Sequence, residues 1–511
     1  MVQIAGGEDG CGWMVDLSAR LRERGYDVTA VVAGDGGDTA LRLRAAGVPL
    51  VALPMTLRST SGLSYALGRV PRVGRALRVP VDAAAILASS VELARLLRRL
   101  DADIAHTHII NAILIGRLAG VLARVPVRVA TVPGPYHLEA RPTRLLDLAT
   151  HRLESCLIGG SEAIDRLYRR HGVAPERLRW IPLGTDAAVF DPRTADPARA
   201  RRELGVPPLA PLIGQVAHFY PKPNGLAAPP HLRGRSLKGH DTMLAAAKLV
   251  LEHYPDARFA LVGGDWGEAG RTHREEMEQL AAELGVAHAV MFTGLRHDVP
   301  DLLAAFDVSV QCSLSENHGG TVESLLMEAP TVATRVGGMP ETVRHEETGL
   351  LVPPREPEAL AAAILRLLDD RELGRLLGRR GRELMLGRFT LDHMVDEVDA
   401  LYRELAASRK LARRHPRDHD PVRDVVDHDR PGPHDRAVAD RHRPPENGAD
   451  ADKAPRADPA LTGDVGTDGD VDEVADDAVV VDGRRRVQDR AGTHRRAGAG
   501  EAERHQDRSR T

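Results

Sequence analysis

The sequence has few aromatic residues, few cysteines and no excess of charge of either sign. Aromatic residues make up 3% of its 511 positions, which leaves few rings on which single-stranded nucleic acid could stack. Lys and Arg number 69 against 73 Asp and Glu, so no basic field predicts a nucleic-acid partner. Its three cysteines, Cys11, Cys156 and Cys312, are widely separated, which excludes a disulfide scaffold and a CxxC metal site. This cysteine usage fits a reducing compartment.

A long uninterrupted hydrophobic run is also missing. The most apolar stretch, 112–132, contains Arg117, Arg124 and Arg128, and each arginine is costly at the centre of a bilayer. The N-terminus lacks the basic and apolar regions of a signal peptide. We therefore expect a cytoplasmic protein without a membrane-spanning segment.

The composition changes near residue 408. From Arg409 to Thr511 there is no Phe, Trp, Tyr, Ile or Met. Such a segment cannot bury enough apolar surface to offset the entropy of ordering, so we expect 408–511 to be a disordered low-complexity tail. Its composition resembles GC-rich DNA translated in a shifted frame. Its histidines are scattered without the spacing of metal ligands.

The residues before 408 alternate between apolar strands and amphipathic helices. At roughly 150 residues per domain, this length accommodates two large domains. Apolar runs between amphipathic helices are typical of parallel sheets covered on both faces. The fold class is therefore α/β, with two doubly wound domains facing across a cleft. Strands are predicted at 27–33, 103–110, 127–132, 212–218, 258–262, 290–293, 308–313 and 331–334.

The clearest candidate site follows the predicted strand 308–313. Ligands of open α/β sheets bind beyond the carboxyl ends of strands, and here Glu316 precedes Gly319-Gly320, after which a helix contains Glu323. The glycines let a ligand approach the backbone. Two carboxylates beside a phosphate site repel the phosphate unless they accept hydrogen bonds from hydroxyl groups. Sugars and ribose carry such hydroxyls. Lys238, just before another helix, is placed to neutralise a phosphate.

The chain resembles retaining glycosyltransferases of family four, which have the two-domain GT-B architecture. Several motifs of that family occur in the family's order over nearly all of residues 1–407. They are Gly6-Gly7, His106-Thr107-His108, Ile181–Asp186 with Phe190-Asp191-Pro192, Lys238-Gly239, Leu261–Gly264, Phe292-Thr293-Gly294, Glu316–Glu323, Gly337–Glu341 and Thr348–Val352.

The resemblance implies a domain organisation. An acceptor-binding Rossmann-like domain spans 1–195, a linker 196–209 and a nucleotide-sugar-binding Rossmann-like domain 210–388. A helix at 389–407, before the tail, crosses back onto the N-terminal domain.

The resemblance also implies functional residues. Glu316 contacts the donor sugar and Glu323 the ribose, while Lys238 and His218 hold the diphosphate. Gly6 and Gly7 let the backbone approach the reacting centre or a phosphate. The remaining donor-binding positions are Asn317, His318, Gly319, Gly320 and Thr321. The leaving diphosphate assists deprotonation of the acceptor, so neither a metal nor a cofactor is implied.

Three positions depart from the family pattern. Its two glutamates are usually separated by seven residues, but here six intervene and Ser324 occupies the expected position; we expect Glu323 still to face the cleft. His218 stands where the family usually has an arginine that partners the lysine. We expect Arg233 or Arg235 to supply the missing positive charge, so Arg235→Ala should weaken donor binding. The usual acceptor-side histidine is absent. His137 is a candidate catalytic replacement, or the partner of Glu139 in a surface ion pair.

The segment Arg58–Arg78 contains five arginines among apolar residues. A cationic, partly apolar surface of this kind fits peripheral contact with anionic lipid at the inner face of a membrane, or a solvated loop. Pro71 and Pro80 are expected to interrupt any long helix there.

These patterns predict a hexosyltransferase-type glycosyltransferase of glycolipid or polysaccharide biosynthesis. The donor is a UDP- or GDP-type nucleotide sugar, and the acceptor is a sugar, a lipid-linked molecule or a small molecule. One alternative is an inactive nucleotide-sugar-binding module. A second is an NAD-dependent oxidoreductase, which the spacing of Gly6, Gly7, Gly10 and Gly12 argues against because it does not form GxGxxG.

Overall fold

A computed structural model describes residues 1–6, 10–34, 36–53, 72–225 and 228–414, with the side chains of 72–84 and 409–414 excepted. Contacts divide the chain into Met1–Arg430 and Pro431–Thr511, and every described residue lies in the first unit. Gly7, residues 58–71 of the arginine-rich segment and residues 415–511 of the predicted tail lie outside the described residues.

The N-terminal domain alternates strands and helices along the chain. Its strands are β1 (Val2–Ala5), β2 (Thr29–Val32), β3 (Leu50–Ala52), β4 (Ile104–His108), β5 (Val127–Val132), β6 (Cys156–Gly159) and β7 (Leu178–Trp180). Its helices are α1 (Gly12–Glu23), α2 (Asp38–Ala45), α3 (Arg72–Arg99), α4 (Ile110–Ala123), α5 (Tyr136–Glu139), α6 (Arg141–Thr150) and α7 (Glu162–Arg170).

The C-terminal domain repeats this alternation after the short helix α8 (Pro197–Glu203). Its strands are β8 (Leu212–Val216), β9 (Arg258–Val262), β10 (Val290–Gly294), β11 (Val308–Gln311), β12 (Thr331–Thr334) and β13 (Leu350–Val352). Its helices are α9 (His240–Leu251), α10 (Gly267–Glu283), α11 (Val299–Ala305), α12 (Thr321–Leu326), α13 (Met339–Thr342), α14 (Pro357–Asp369) and α15 (Arg371–Arg388), followed by α16 (Leu391–Arg414).

Both sheets are parallel and doubly wound, as expected. The order is β3-β2-β1-β4-β5-β6-β7 in the first and β10-β9-β8-β11-β12-β13 in the second. In each sheet the strand order reverses beside the first strand of the domain, between β1 and β4 and between β8 and β11. Ligands of such sheets bind at these switch points. All four residues of β1 are buried, because the strand lies between two neighbours beneath helices on both faces.

The last helix returns to the N-terminal domain. Its apolar positions recur at helical spacing and enter the N-terminal core beside Met14, Leu17 and Leu21. These positions are Leu391, Met394, Val395, Val398, Leu401 and Tyr402. The helix therefore packs against the N-terminal domain. Its backbone continues past residue 408 to Arg414, because a helix already held by its first turns propagates at little further cost.

Helix α3 corrects the expectation that Pro80 interrupts any long helix. The helix runs from Arg72 to Arg99 and passes through Pro80. A proline removes one intrahelical hydrogen bond, and a helix held by its tertiary contacts tolerates that loss; α3 packs along α4 through buried Leu93 and Leu97. Within the described part of the chain, no helix is long and apolar enough to cross a membrane.

A backbone contact at Gly184 generates a stability prediction. A Cβ atom at Gly184 would lie 2.4 Å from the Thr390 carbonyl oxygen and 2.7 Å from Leu391 Cα, where the chain enters α16. Because backbone atoms cannot rotate aside, we expect Gly184→Ala to lower the free energy of unfolding by on the order of 2 kcal/mol. Denaturant unfolding measures the change.

Gly387→Ala is the matched control. Gly387 is helical, and a Cβ there meets nothing within 4 Å, so the added methyl should stabilise the helix by about 0.5–1 kcal/mol. Equal stability of Gly184→Ala and the wild type would contradict the close approach.

Candidate active site

A cavity of about 860 Å³ lies at the carboxyl ends of the C-terminal strands and is closed on one side by the N-terminal domain. Val216, Val262 and Gln311 bring the ends of β8, β9 and β11 to its wall. The C-terminal domain also contributes His218, Tyr220, Lys238, Gly263, Gly264, Trp266, Leu295, Gly319, Gly320 and Glu323, and the N-terminal domain contributes Gly10, Gly12, Trp13, Asp38 and Arg42. The cavity therefore occupies the switch point between β8 and β11.

Lys238 places a mostly buried ammonium at the cavity wall. Its ammonium pairs with the Glu316 carboxylate and lies 5.4 Å from the centre of the Tyr220 ring. Burial alone would lower the pKa of Lys238, but Glu316 and Tyr220 outweigh it and hold the pKa above its usual value. Lys238 is therefore charged at neutral pH.

The turn that presents Lys238 requires a glycine. Gly239 has a φ of +70°, and a Cβ there would lie 2.0 Å from the carbonyl oxygen of Cys312. Gln215 fixes the same turn by donating from Nε2 to the Lys238 carbonyl at 2.7 Å. The Lys-Gly pair in the sequence thus reflects a backbone packed directly against β11.

Glu316 is held beside Lys238 by the backbone around it. Its Oε1 accepts from the Asn317 amide at 3.1 Å, and its Oε2 accepts from Ser313 Oγ at 3.3 Å. Gly319, at a φ of +54°, packs on the side chain of Glu316, with an ideal Cβ position 3.0 Å from Glu316 Cγ. The carboxylate is therefore fixed before any ligand arrives.

Glu323 faces the cavity as expected from the sequence, despite the shortened spacing. It lies half-buried in the first turn of α12, and its Oε2, which is shielded from solvent, has no hydrogen-bond partner among the described residues. Burial, reinforced by Glu316, raises its pKa to about 7. Ser324 faces the sheet instead and contacts Ser309 Oγ at 2.8 Å. An unsatisfied buried carboxylate oxygen is suited to accept a hydroxyl hydrogen bond from a ligand.

His218 lies at the cavity where the family arginine is expected. Its Nδ1 is 3.2 Å from the Gly264 carbonyl oxygen, and because a carbonyl only accepts, Nδ1 carries the proton. The ring contacts Tyr220 and Trp266, at centroid distances of 6.2 and 5.7 Å. Arg235 is half-buried and is not among the described residues that line the cavity. The structure therefore does not support the expected compensation by Arg235.

Three of the predicted donor-binding residues contact protein instead of the cavity. Asn317 Nδ2 donates to the Gly160 carbonyl at 3.2 Å, across the two domains. His318 Nε2 lies 3.2 Å from Glu341 Oε2. Thr321 Oγ1 contacts Thr342 Oγ1 at 2.7 Å. None of the three lines the cavity in the described structure, whereas their neighbours Gly319 and Gly320 do.

Glu341 explains the position of His318. Its carboxylate accepts from the Glu162 amide at 3.1 Å and the Ala163 amide at 2.8 Å, at the start of α7 in the other domain. A carboxylate at a helix N-terminus satisfies free amides and complements the helix dipole. His318 thus belongs to the contact between domains.

Of the two glycines predicted to approach the reacting centre, Gly6 is described and Gly7 lies outside the described residues. Gly6 packs against α4, where a Cβ would lie 2.9 Å from the Ala112 nitrogen, and it does not line the described cavity wall. Gly10 and Gly12 line the wall instead. Gly10 has a φ of +79°, and its Cβ would lie 2.7 Å from the indole of Trp266, so the loop touches the opposite domain.

His137 lies in a buried polar cluster of the N-terminal domain. Its Nε2 is 3.3 Å from Asp147 Oδ2 and 3.4 Å from the Tyr168 hydroxyl. Asp147 also pairs with Arg117 at 2.7 Å. His137 is not among the described residues lining the cavity, so its predicted catalytic position is not supported.

The alternative, a surface ion pair between His137 and Glu139, is not supported by the described residues. His137 is buried and its Nε2 lies beside Asp147, while Glu139 accepts from Ser315 Oγ at 2.8 Å across the cleft.

Trp13, Arg42, Tyr220 and Trp266 line the cavity but were not predicted from the sequence. Two signals were available: Gly10 and Gly12 immediately before an amphipathic helix, and two aromatic residues after strand ends in a chain with few of them. Among the described residues, no group of three or more His, Cys, Asp or Glu side chains is placed to hold a metal ion.

The raised pKa of Glu323 predicts a pH-dependent stability. The folded state holds this proton to a pKa of about 7, against an ordinary value of 4.5, so stability falls as pH rises from about 4.5 to 7. Glu323→Gln removes the ionisation and should be more stable than the wild type at pH 8, by about 3 kcal/mol at most. The difference should shrink towards pH 4.5. Urea unfolding at pH 8 and pH 5 measures it.

The exposed Glu358→Gln is the control and should leave stability unchanged at both pH values. A Glu323→Gln variant less stable than the wild type at pH 8 would show that the carboxylate is satisfied in the folded protein.

Comparison with known proteins identifies the family in two segments. Residues 13–189 match the model described as Glycosyltransferase Family 4, and residues 231–370 match the model described as Glycosyl transferases group 1. Together these segments cover more than half of the chain, one in each domain.

Curated relatives match part of the chain. The D-inositol 3-phosphate glycosyltransferase of Acidothermus cellulolyticus is 37% identical over 251 residues, which are 47% of this chain and 51% of the relative. A UDP-Gal:alpha-D-GlcNAc-diphosphoundecaprenol alpha-1,3-galactosyltransferase of Escherichia coli is 24% identical over 63% of this chain and 80% of the relative. The chain spans about half the length of the first inositol-phosphate relatives that it matches.

Solved structures share the fold. Anabaena HepE, solved with UDP, is 20% identical with a TM-score of 0.62, and the alignment covers 79% of this chain and 99% of HepE. Sucrose-phosphate synthase from Thermosynechococcus elongatus is 22% identical with a TM-score of 0.60, over 80% and 99% of the two chains. With two parallel α/β domains of GT-B type and a family match in each, this chain belongs to the group 1 glycosyltransferases of family 4.

Proposed function

We propose that this protein transfers a sugar from a nucleotide-diphosphate sugar to an acceptor hydroxyl, with retention of configuration and without a metal. The observation that carries the proposal is one cavity that combines the charged Lys238 with the unsatisfied carboxylate of Glu323. A diphosphate needs a cation and a ribose needs hydrogen-bond acceptors, so the pair matches the two polar parts of a nucleotide.

The donor orientation follows from the positions of these groups. Glu323 accepts from the ribose hydroxyls, and Lys238 and His218 contact the diphosphate. The base then lies towards Gly264 and Leu295, while the sugar lies towards Glu316. A cavity of about 860 Å³ is large enough for the whole nucleotide sugar.

The proposed reaction exchanges one bond at the anomeric carbon for another. The bond from that carbon to the diphosphate oxygen breaks and the electron pair leaves with the diphosphate. The acceptor oxygen then bonds to the same face of the carbon, and its proton passes to the diphosphate. The protein positions the reactants and stabilises the leaving charge through Lys238. Glu316, which is paired with Lys238 beside the cavity, orients the sugar in this proposal.

The acceptor is proposed to bind on the N-terminal side of the cleft, near Glu139 and the loop before α6. The relatives named for inositol phosphate and for a diphosphoundecaprenol-linked sugar support two classes of acceptor, a small phosphorylated molecule and a lipid-linked sugar. The proposed membrane contact of Arg58–Arg78 concerns residues and side chains outside the described part.

The alternative of an inactive nucleotide-sugar-binding module shares the same cavity and differs only in turnover. NAD binding is disfavoured because the loop after β1 lacks GxGxxG and its Gly10 is packed on Trp266. UDP is the first nucleotide to test, because the Escherichia coli relative is named for UDP-Gal.

Nucleotide binding to Lys238 tests the proposal directly. We expect UDP or GDP, at a hundredfold excess over its Kd, to stabilise the full chain by about 2.7 kcal/mol. Lys238→Ala should weaken binding at least tenfold because it removes the cation. The control, Lys248→Ala, changes an exposed lysine of α9 and should bind normally. ITC and thermal unfolding with UDP, GDP, ADP and NAD measure these effects.

Turnover then distinguishes an enzyme from an inactive binding module. An enzyme hydrolyses the bound UDP- or GDP-sugar or transfers its sugar, whereas an inactive module does neither. Stabilisation by NAD alone, or equal binding by Lys238→Ala and Lys248→Ala, would contradict the proposed site.

His218 provides a gain-of-function prediction. An arginine adds a permanent charge and a planar pair of donors for phosphate oxygens, so His218→Arg should tighten nucleoside-diphosphate binding about 3–10-fold. Arg235→Ala should bind as the wild type does, because Arg235 does not line the described cavity. Weaker binding by Arg235→Ala would restore the compensation expected from the sequence. Weaker binding by His218→Arg would show that His218 does not contact the diphosphate.

A further inference from the structure

A row of buried hydrogen bonds runs behind the N-terminal wall of the cavity. Trp13 lies on that wall, and the row passes through Tyr402 of α16, the helix that returns from the C-terminal domain. The other members lie on β1, β4, β5 and α16; they are Gln3, His106, His108, Thr131 and Tyr402.

In the first half of the row, only one assignment of hydrogen-bond donors and acceptors is possible. The Trp13 indole can only donate, so His108 Nδ1, at 3.3 Å, accepts. The proton of His108 is therefore on Nε2, which donates to Gln3 Oε1 at 2.7 Å. Gln3 then donates from its amide nitrogen to the Tyr402 hydroxyl at 3.2 Å.

The second half continues from Tyr402 into the sheet. Because the Tyr402 oxygen accepts from Gln3, its proton is free to be donated to His106 Nδ1, 2.6 Å away. His106 Nε2 in turn donates to Thr131 Oγ1 at 2.6 Å. A single arrangement of protons therefore satisfies every ring nitrogen in the row.

Both histidines are neutral in this arrangement. Burial lowers the pKa of His108 to about 3, and burial with His108 nearby holds the pKa of His106 well below its usual value. A protonated His108 would have two donors, and the Trp13 indole could no longer donate to it. The row thus holds the indole at one angle throughout the neutral range.

Tyr402 is the one member contributed by the returning helix. It is buried, its ring packs edge-on against His106 at a centroid distance of 5.8 Å, and its helix enters the N-terminal core. The start of the same helix is fixed by the backbone contact of Gly184 with Thr390 and Leu391. The position of α16 therefore determines where the Tyr402 hydroxyl meets Gln3.

We propose that Tyr402 is a positioning residue for donor binding, which holds the Trp13 indole against the bound nucleotide sugar through Gln3 and His108. The proposal rests on the proposed function for the identity of the ligand. It makes the affinity for the donor depend on the docking of the C-terminal helix, although α16 does not line the described cavity.

A double-mutant cycle on the full chain tests this coupling. Tyr402→Phe keeps the ring and removes the hydroxyl, so Gln3 and His106 lose their partner and the indole loses its fixed angle. We expect UDP to bind Tyr402→Phe about 5–10-fold more weakly by ITC. Trp13→Phe should also bind UDP more weakly. In the Trp13→Phe background, Tyr402→Phe should cause no further loss.

Tyr168→Phe is the matched control. Tyr168 is an equally buried tyrosine of the same domain whose hydroxyl contacts Asp147 at 2.6 Å, outside the row. It should lower the melting temperature and leave UDP affinity unchanged. If Tyr402→Phe does not fold, His108→Leu replaces it in the double-mutant cycle, because it breaks the row at a second point. His108→Leu should weaken UDP binding in the wild type and cause no further loss in the Trp13→Phe background.

The outcomes distinguish the two proposals. UDP, GDP and ADP all failing to bind the wild type would overturn the proposed function and this inference with it. If the wild type binds UDP and Tyr402→Phe lowers the affinity equally in the wild-type and Trp13→Phe backgrounds, the inference alone is overturned, since Tyr402 would not act through Trp13. The inference is equally overturned if Tyr402→Phe and Tyr168→Phe both change only the melting temperature.

Discussion

The ion pair between Lys238 and Glu316 is the interaction on which the cavity depends. A buried ammonium without a partner would lose its proton or destabilise the fold, and Glu316 keeps it charged. Glu323 lies near the same pair, so two carboxylates share one cation, and the second is left with a pKa of about 7 and an unsatisfied oxygen. The protein thus maintains charge at a site where a ligand must compete with a residue for Lys238.

This arrangement requires the backbones of both domains to approach closely. Gly239 packs on Cys312, Gly319 packs on Glu316, and Gly184 packs on the start of α16. Side chains then join the domains around the cavity, with Glu341 capping α7 and Asn317 reaching Gly160. Gly239 and Gly319 permit this close approach because they have no Cβ, and the packing around them holds Lys238 and Glu316 in place.

Much of the fold could be predicted from the sequence because buried parallel strands read as short apolar runs. The bounds of β5, β9 and β12 match the predicted ranges. The short strands β3, β6 and β7 were not predicted, since three or four residues carry little periodicity. Pro80 misled the prediction of α3, because a local rule on helix breaking does not include the tertiary contacts that hold a helix together.

Part of the candidate site could likewise be predicted from the sequence, and part could not. Lys238, Gly319, Gly320 and Glu323 line the cavity because each lies at or just before the start of a helix, at the edge of the sheet where the strands end. Asn317, His318 and His137 have the residue types of a site, yet their partners come from elements distant in sequence: Gly160, Glu341 and Asp147. Spacing along one chain does not reveal such partners.

The balance of charge in the cavity limits how the donor can enter. Lys238 is already paired with Glu316, so in the proposed function a diphosphate that binds there competes with this carboxylate for the ammonium. His218 has Nδ1 committed to the Gly264 carbonyl and is a weaker partner than the arginine it replaces. Binding of the proposed donor at Lys238 therefore weakens its pair with Glu316, which keeps the Asn317 amide and the Ser313 hydroxyl as donors. In the proposed function, the hydroxyls of the transferred sugar arrive with the diphosphate and give this carboxylate further donors. A nucleoside diphosphate without its sugar brings none of these hydroxyls, so this electrostatic arrangement favours the intact donor over the product.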